Sequence, residues 1–176
     1  LVLEDADIED AAAKIAWGKF GNTGHTCIAP DYVLVAEGVK EAFLEALVSA
    51  LERMYGSDPA EVKRSADFGR IIDDAHLDRF AQQMEEARSR GARLVTGGDI
   101  DPEHRYLAPT VLTDVPDDAA LMQEEIFGPI LPVRGIRDLD EALGIIAERG
   151  EPLALYCFGR RRQEVERVIG ETRTGG

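Results

Sequence analysis

This chain is poor in the residues that build disulfide frameworks, metal sites and anion-binding surfaces. It has two cysteines, Cys27 and Cys157, and three histidines among 176 residues. The cysteines form no CxxC pair and the histidines are scattered without ligand spacing, which argues against a disulfide scaffold or a zinc site and for a reducing, cytoplasmic setting. Positive charge is also scarce. Twenty Lys and Arg against 34 Asp and Glu leave a net charge of −14, which argues against a nucleic-acid backbone or an anionic membrane surface as partner. The run Arg160-Arg161-Arg162 is a local exception that a solvated helix start explains. No apolar run approaches the roughly 20 residues that span a bilayer, and no glycine-rich phosphate-binding turn occurs. The acidic start, Leu1 to Asp7, does not resemble a signal peptide. Without a methionine, and opening as if in mid-strand, the sequence is expected to be a piece of a longer chain.

What is present is an ordinary globular composition, 44% hydrophobic and 31% charged, in a length that can bury one core as a single domain over residues 1–176. Leu1–Leu3 reads as a strand remnant. Asp7 caps a helix running to Phe20, with Ile8, Ala11, Ala12, Ile15 and Ala16 on its apolar face. A valine-rich strand, Tyr32 to Ala36, leads into a helix from Gly38 to Gly56 carrying Val39, Phe43, Leu47, Ala50 and Met54 at helical spacing. Glu61 to Arg70 reads as a polar loop, in which Asp67-Phe68-Gly69 imitates the kinase magnesium motif by coincidence, since no other kinase signature accompanies it.

Beyond it come a helix from Asp73 to Arg90, a strand from Arg93 to Thr96, and an extended stretch from Tyr106 to Val115 broken at Pro109. After Pro116 a polar turn precedes a strand at Ile130–Val133, a helix at Asp138–Arg149, an apolar strand at Leu153–Phe158 and a last helix at Arg162–Glu171. Strands alternating with helices of this length predict an α/β domain with helices on both faces of the sheet.

Two stretches carry candidate chemistry. In the first, Phe20-Gly21-Asn22-Thr23-Gly24-His25-Thr26-Cys27-Ile28-Ala29-Pro30, a helix breaks on two glycines and delivers one cysteine into a turn among small, polar neighbours. A thiol on such an elbow can serve as a nucleophile, or it can be a small buried hydrophobe. In the second, Met122-Gln123-Glu124-Glu125-Ile126-Phe127-Gly128-Pro129, adjacent carboxylates precede an aromatic and a Gly-Pro turn. A carboxylate held there can accept two hydrogen bonds from a vicinal diol, act as a general base, or be a solvated acidic turn. Cys157, flanked by Tyr156 and Phe158, reads as a core residue.

The first stretch resembles the active-site cysteine segment of the aldehyde dehydrogenase superfamily, and its continuation Ala29-Pro30-Asp31-Tyr32-Val33-Leu34-Val35 is similar to the class 3 branch. His25 departs from the pattern, standing where that family has glutamine. It reads as a structural donor in the turn, with a base for Cys27 as the alternative. All eight residues of the second stretch match a distinctive segment of the same family, and Asp67–Ile72, Ala108–Asp114 and Pro152–Tyr156 extend the resemblance across the chain.

The resemblance implies a three-layer αβα catalytic domain with a mostly parallel sheet and the NAD- or NADP-dependent oxidation of a small-molecule aldehyde to an acid. It implies Cys27 as the nucleophile, Glu125 holding the nicotinamide ribose hydroxyls and Phe127 packing beside the nicotinamide, in a homodimer or higher homo-oligomer. It also implies that the family's general-base glutamate and most of its cofactor domain precede Leu1, that an oligomerisation tail follows Gly176, and that the isolated piece is inactive. The helix before Cys27 points its partly negative end at the elbow, so thiolate formation needs help from elsewhere. The competing expectations are a cysteine-dependent ester or thioester hydrolase and a non-catalytic domain that keeps the inherited fold.

Overall fold

The computed structural model describes all of residues 1–176. The first helix, α1 (Ile8–Phe20), starts where the Asp7 carboxylate accepts the Asp10 N–H at 3.2 Å. Its buried face is made of Ala11, Ala12, Ile15 and Ala16, small enough to bring α2 (Lys40–Tyr55) close. A 3₁₀ turn at Gly21–Gly24 and the strand β1 (Val33–Ala36) separate the two helices. Both helices lie on one face of the sheet, where Phe43, Leu47 and Ala50 meet Val33, Val35, Val111, Leu131 and Val133.

Residues Glu61–Arg70 are not all loop. Pro59–Arg64 forms the short helix α3, capped by Asp58, whose carboxylate takes the Ala60 N–H at 2.9 Å, with Pro59 in the first turn. That Asp-Pro start is a helix signal, because the proline ring fixes φ where no N–H is needed. Next come α4 (Asp74–Ser89), β2 (Arg93–Thr96) and a small hairpin of β3 (Ile100–Asp101) with β4 (Tyr106–Leu107). The chain then forms β5 (Thr110–Thr113), a single helical turn α5 (Ala120–Gln123) in place of the expected polar turn, β6 (Ile130–Ile136), α6 (Leu139–Arg149) and α7 (Arg162–Glu171).

The main sheet has the order β1-β6-β5-β2. β1 and β5 both run parallel to β6, which runs three residues beyond its expected end at Val133, and β2 is antiparallel to β5. Because strand side chains alternate, each strand feeds both faces. Leu112 and Ile130 pack with Leu77, Phe80 and Met84 of α4, while Leu34 and Ile136 pack with Ala142, Ile145, Ile146 and Val168 of α6 and α7. The result is the expected three-layer αβα domain. No helix is long and apolar enough to cross a membrane.

Two expectations fail at one place. Leu153–Phe158 is not a strand. Only Phe158 pairs, parallel to Val2, which in turn bridges Val35. Residues Leu153 and Tyr156 remain exposed on a segment without ladder hydrogen bonds. Cys157 is accordingly half-buried at the margin of the α6–α7 cluster rather than in the core, and burial raises its thiol pKa. The apolar run there is not matched by a partner strand able to take its N–H groups. The Arg160–Arg162 run does sit at a solvated helix start, paired with Asp5, Asp7, Glu164 and Glu166.

Glycine substitutions should separate packing from propensity. A Cβ at Gly128 would lie 2.2 Å from Cζ of the fully buried Phe80 ring, whereas one at Gly144, on the exposed face of α6, would meet nothing within 4 Å. Chemical denaturation should show Gly128→Ala losing about 1–3 kcal/mol and Gly144→Ala gaining about 0.5–1 kcal/mol.

Candidate functional site

The cysteine elbow is a left-handed turn. After α1, Asn22, Thr23 and Gly24 follow one another at φ 51°, 54° and 76°. Gly21, in contrast, has an ordinary φ of −55°, so the strain falls on Asn22 and Thr23. Asparagine tolerates that conformation, but a β-branched threonine does not. Thr23 also buries its hydroxyl without a hydrogen-bond partner. Such a turn persists only when its surroundings over-determine it.

Several contacts do so. Asn22 Nδ2 donates to His25 O at 2.9 Å, the His25 N–H donates to Asn22 O at 3.0 Å, and His25 Nδ1 lies 3.1 Å from the same oxygen. His25 is therefore part of the turn's own bonding, as a structural donor would be, and its ring stands edge-on to Phe127 at 5.8 Å. Behind the elbow, a Cβ at Gly69 would come within 2.5 Å of Thr23 Oγ1. Phe68 is buried there, edge-on to Tyr55 and Tyr106, so Asp67-Phe68-Gly69 works as packing. Tyr55 Oη closes the end of α1 by donating to Phe20 O at 3.0 Å.

Past the elbow, Thr26–Ala29 turns tightly, with the Ala29 N–H donating to Thr26 O at 3.0 Å. Cys27 and Ile28 are exposed at its tip. The second stretch comes up against this turn through backbone. A Cβ at Gly24 would lie 2.2 Å from Gly128 O, so the two stretches touch where neither has a side chain. Cys27, Glu125 and Phe127, distant in sequence, thereby line one cavity of about 230 Å³ together with Ile28, Lys19 and Tyr156. Tyr156 Oη donates to Ile28 O at 3.0 Å and ties the irregular 152–156 segment to the cavity mouth. Phe127, held at φ 49°, leaves its ring 37% exposed there. An exposed aromatic face beside an exposed carboxylate fits a flat ring attached to a sugar diol, the chemistry of a nicotinamide ribose. No group of three or more His, Cys, Asp or Glu is placed to hold a metal ion.

Four residues of the site escaped the sequence reading. Lys19, in the last turn of α1, is 1% exposed in the cavity wall. Burial lowers its ammonium pKa from 10.5 to about 8, and the carboxylates of Asp31 and Glu125 limit the fall. Asp31 Oδ1 accepts the Ile126 N–H at 3.0 Å. Arg79 Nη2 donates to Ile126 O at 2.7 Å. Tyr156 is the fourth. A lysine at the polar end of a helix and an aspartate after a proline look like surface residues in a sequence, and only the packing of Glu125–Phe127 over them gives them partners.

The aldehyde dehydrogenase family profile matches residues 1–176. The chain is 42% identical over 173 residues to the dimeric NADP-preferring aldehyde dehydrogenase of Bos taurus, covering 98% of this chain and 69% of that protein. It is 42% identical over 172 residues to aldehyde dehydrogenase family 3 member A2 of Mus musculus, covering 98% of this chain and 34% of that one. Among solved structures, the substrate-bound state of Staphylococcus aureus AldH superposes with a TM-score of 0.91 at 41% identity, over 97% of this chain and 36% of that chain.

Lys19 makes a pH-dependent prediction. Its pKa is lower in the folded chain than the ordinary 10.5, so below about 8 burying the charged form costs stability, and the cost is relieved as pH rises toward 10.5. One pKa unit corresponds to about 1.4 kcal/mol, so the full cost is about 3 kcal/mol. In urea denaturation Lys19→Met should be the more stable protein at pH 7, and its advantage over wild type should shrink between pH 8 and 10. A constant difference across that window would show that Lys19 is not buried as an ammonium.

Proposed function

The chain belongs to the aldehyde dehydrogenase family, and it spans about a third of the length of relatives such as the mouse protein. From that premise we propose that it is the cysteine-bearing domain of a longer enzyme that oxidises an aldehyde to a carboxylic acid with NAD or NADP. The observation that carries this reading is the single cavity shared by Cys27, Glu125 and Phe127.

In the proposed reaction the Cys27 thiolate attacks the carbonyl carbon, forming a C–S bond and turning the C=O into an oxyanion. The Cys27 backbone N–H is the proposed donor to that oxyanion. When bound, NAD or NADP supplies the two-electron acceptor for the hydride leaving that carbon. Cys27 then carries the acyl group as a thioester, and water cleaves it to the acid and the free thiol. Sulfur suits both halves, because a thiolate is a strong nucleophile and a good leaving group. Glu125 accepts hydrogen bonds from the ribose hydroxyls, and Phe127 forms one wall of the ring site. By analogy with relatives described as dimeric and NADP-preferring, we propose a homo-oligomer. Two unpaired cysteines suit a cytoplasmic location.

The test is the absorbance of reduced nicotinamide, followed in the longer polypeptide with a panel of aliphatic and aromatic aldehydes and both cofactors. Cys27→Ala should lower turnover by at least about 1,000-fold without unfolding the protein. Glu125→Gln, which keeps an acceptor but loses the charge, should weaken cofactor binding by about 10-fold. Undiminished oxidation by Cys27→Ala would remove the thiol from the reaction. Aldehyde-independent ester cleavage with no need for either cofactor would favour a hydrolase instead.

A further inference from the structure

The segment that carries Glu125 and Phe127 belongs to no helix or strand, so its backbone must find partners elsewhere. It finds them in side chains. Ile126 is the peg, 1% exposed between two exposed neighbours. Its N–H donates to Asp31 Oδ1 at 3.0 Å, and its carbonyl accepts from Arg79 Nη2 at 2.7 Å. Arg79 Nη1 also reaches Glu125 O at 3.4 Å, and its guanidinium lies over the Phe80 ring at 4.7 Å. Further back, Gln83 Nε2 donates to Glu124 Oε2 at 3.2 Å, and Arg149 donates to Met122 O.

Of these holders, only Asp31 belongs to the cysteine stretch. It follows Cys27 by the length of one turn and lines the same cavity. The Gly24–Gly128 approach pins the segment at one point. The Asp31–Ile126 hydrogen bond is a second link between this segment and the cysteine side of the cavity. The fixed orientation is costly in itself, because Phe127 sits at φ 49°, a conformation an aromatic residue adopts only under constraint. The Lys19 ammonium, in the wall of the same cavity, lies within electrostatic reach of the Asp31 and Glu125 carboxylates.

We propose that Asp31 is a positioning residue. Through the Ile126 N–H it sets the Glu125 carboxylate and the Phe127 ring at a fixed place relative to Cys27, while Arg79 holds the same peptide from the other side. This inference rests on the cofactor role proposed above for Glu125 and Phe127. Loss of the Asp31 acceptor frees the segment to turn, which weakens cofactor binding and leaves the thiol itself unchanged.

The test uses the longer polypeptide and two readouts: the dissociation constant of reduced cofactor, from its fluorescence on binding, and the rate at which iodoacetamide alkylates Cys27. Asp31→Ala should raise the dissociation constant by about 10-fold while the alkylation rate stays within about twofold. Asp31→Asn keeps an acceptor oxygen on the same carbon and should restore most of the affinity. A merely structural role would lower the fraction of folded, alkylatable protein without changing the affinity of what remains. If Asp31→Ala fails to fold, Arg79→Met loosens the same peptide through a half-buried side chain and should give the same split.

Glu125→Gln separates the two ideas. If it weakens cofactor binding but Asp31→Ala and Arg79→Met do not, the positioning role is wrong and the cofactor role stands. If Glu125→Gln also leaves affinity unchanged, the cofactor role fails and the positioning role with it. Failure of Asp31→Asn to recover affinity would overturn the hydrogen bond as the means of positioning.

Discussion

The site depends on two stretches of backbone touching at Gly24 and Gly128. A methyl group at Gly24 would sit inside the Gly128 carbonyl, and one at Gly128 inside the Phe80 ring. The stack therefore runs from α4 through Gly128 and Gly24 to the turn that presents Cys27, with no side chain at either glycine. This is why the elbow holds three left-handed residues in succession, including a threonine that gains no hydrogen bond for its buried hydroxyl. The strained turn is the shape that lets the backbones meet, and Phe68, Tyr55 and Gly69 press on it from behind. The grouping of Cys27, Glu125 and Phe127 is thus a consequence of close packing, which transmits position because interiors are dense and yield little.

Charge acts on the same place from within. Burying Lys19 opposes folding, and the nearby carboxylates of Asp31 and Glu125 only partly offset that. A buried cation is weak evidence for stability. It makes better sense as the counter-charge of a segment that must carry an exposed carboxylate at one fixed spot. Asp31 and Arg79 then divide the backbone of Ile126 between them, one taking the donor and one supplying a donor to the acceptor.

Much of this architecture is legible in the sequence. Asp7, Asp73 and Asp138 each cap the helix they were expected to start, and the valine-rich stretch expected as a strand forms β1. Cys27 and the Glu125–Phe127 segment stand out because their stretches match distinctive segments of the family. Other features were misread for identifiable reasons. The polar composition of Glu61–Arg70 hides the short helix that Asp58 and Pro59 open. Leu153–Phe158 has the apolar run of a strand, but a strand needs a ladder partner along its length and only Phe158 makes a bridge. Of the two elbow glycines only Gly24 takes a left-handed angle, and Asn22 and Thr23 share it where Gly21 does not. Lys19, Asp31, Arg79 and Tyr156 carry no local signal, since their roles arise only when distant segments fold over one another.

The 152–156 wall of the cavity has a different standing from the other two. The elbow and the Glu125–Phe127 segment are locked by backbone contact, buried aromatics and paired side chains. The third wall touches the elbow through the Tyr156 hydroxyl and is otherwise held by backbone hydrogen bonds to the chain ends, Leu1 and residues 175–176. Leu153 is exposed and belongs to none of the buried clusters, so its replacement disturbs little that the fold relies on. That wall is therefore the part of the cavity that can change shape with least cost to the rest of the fold.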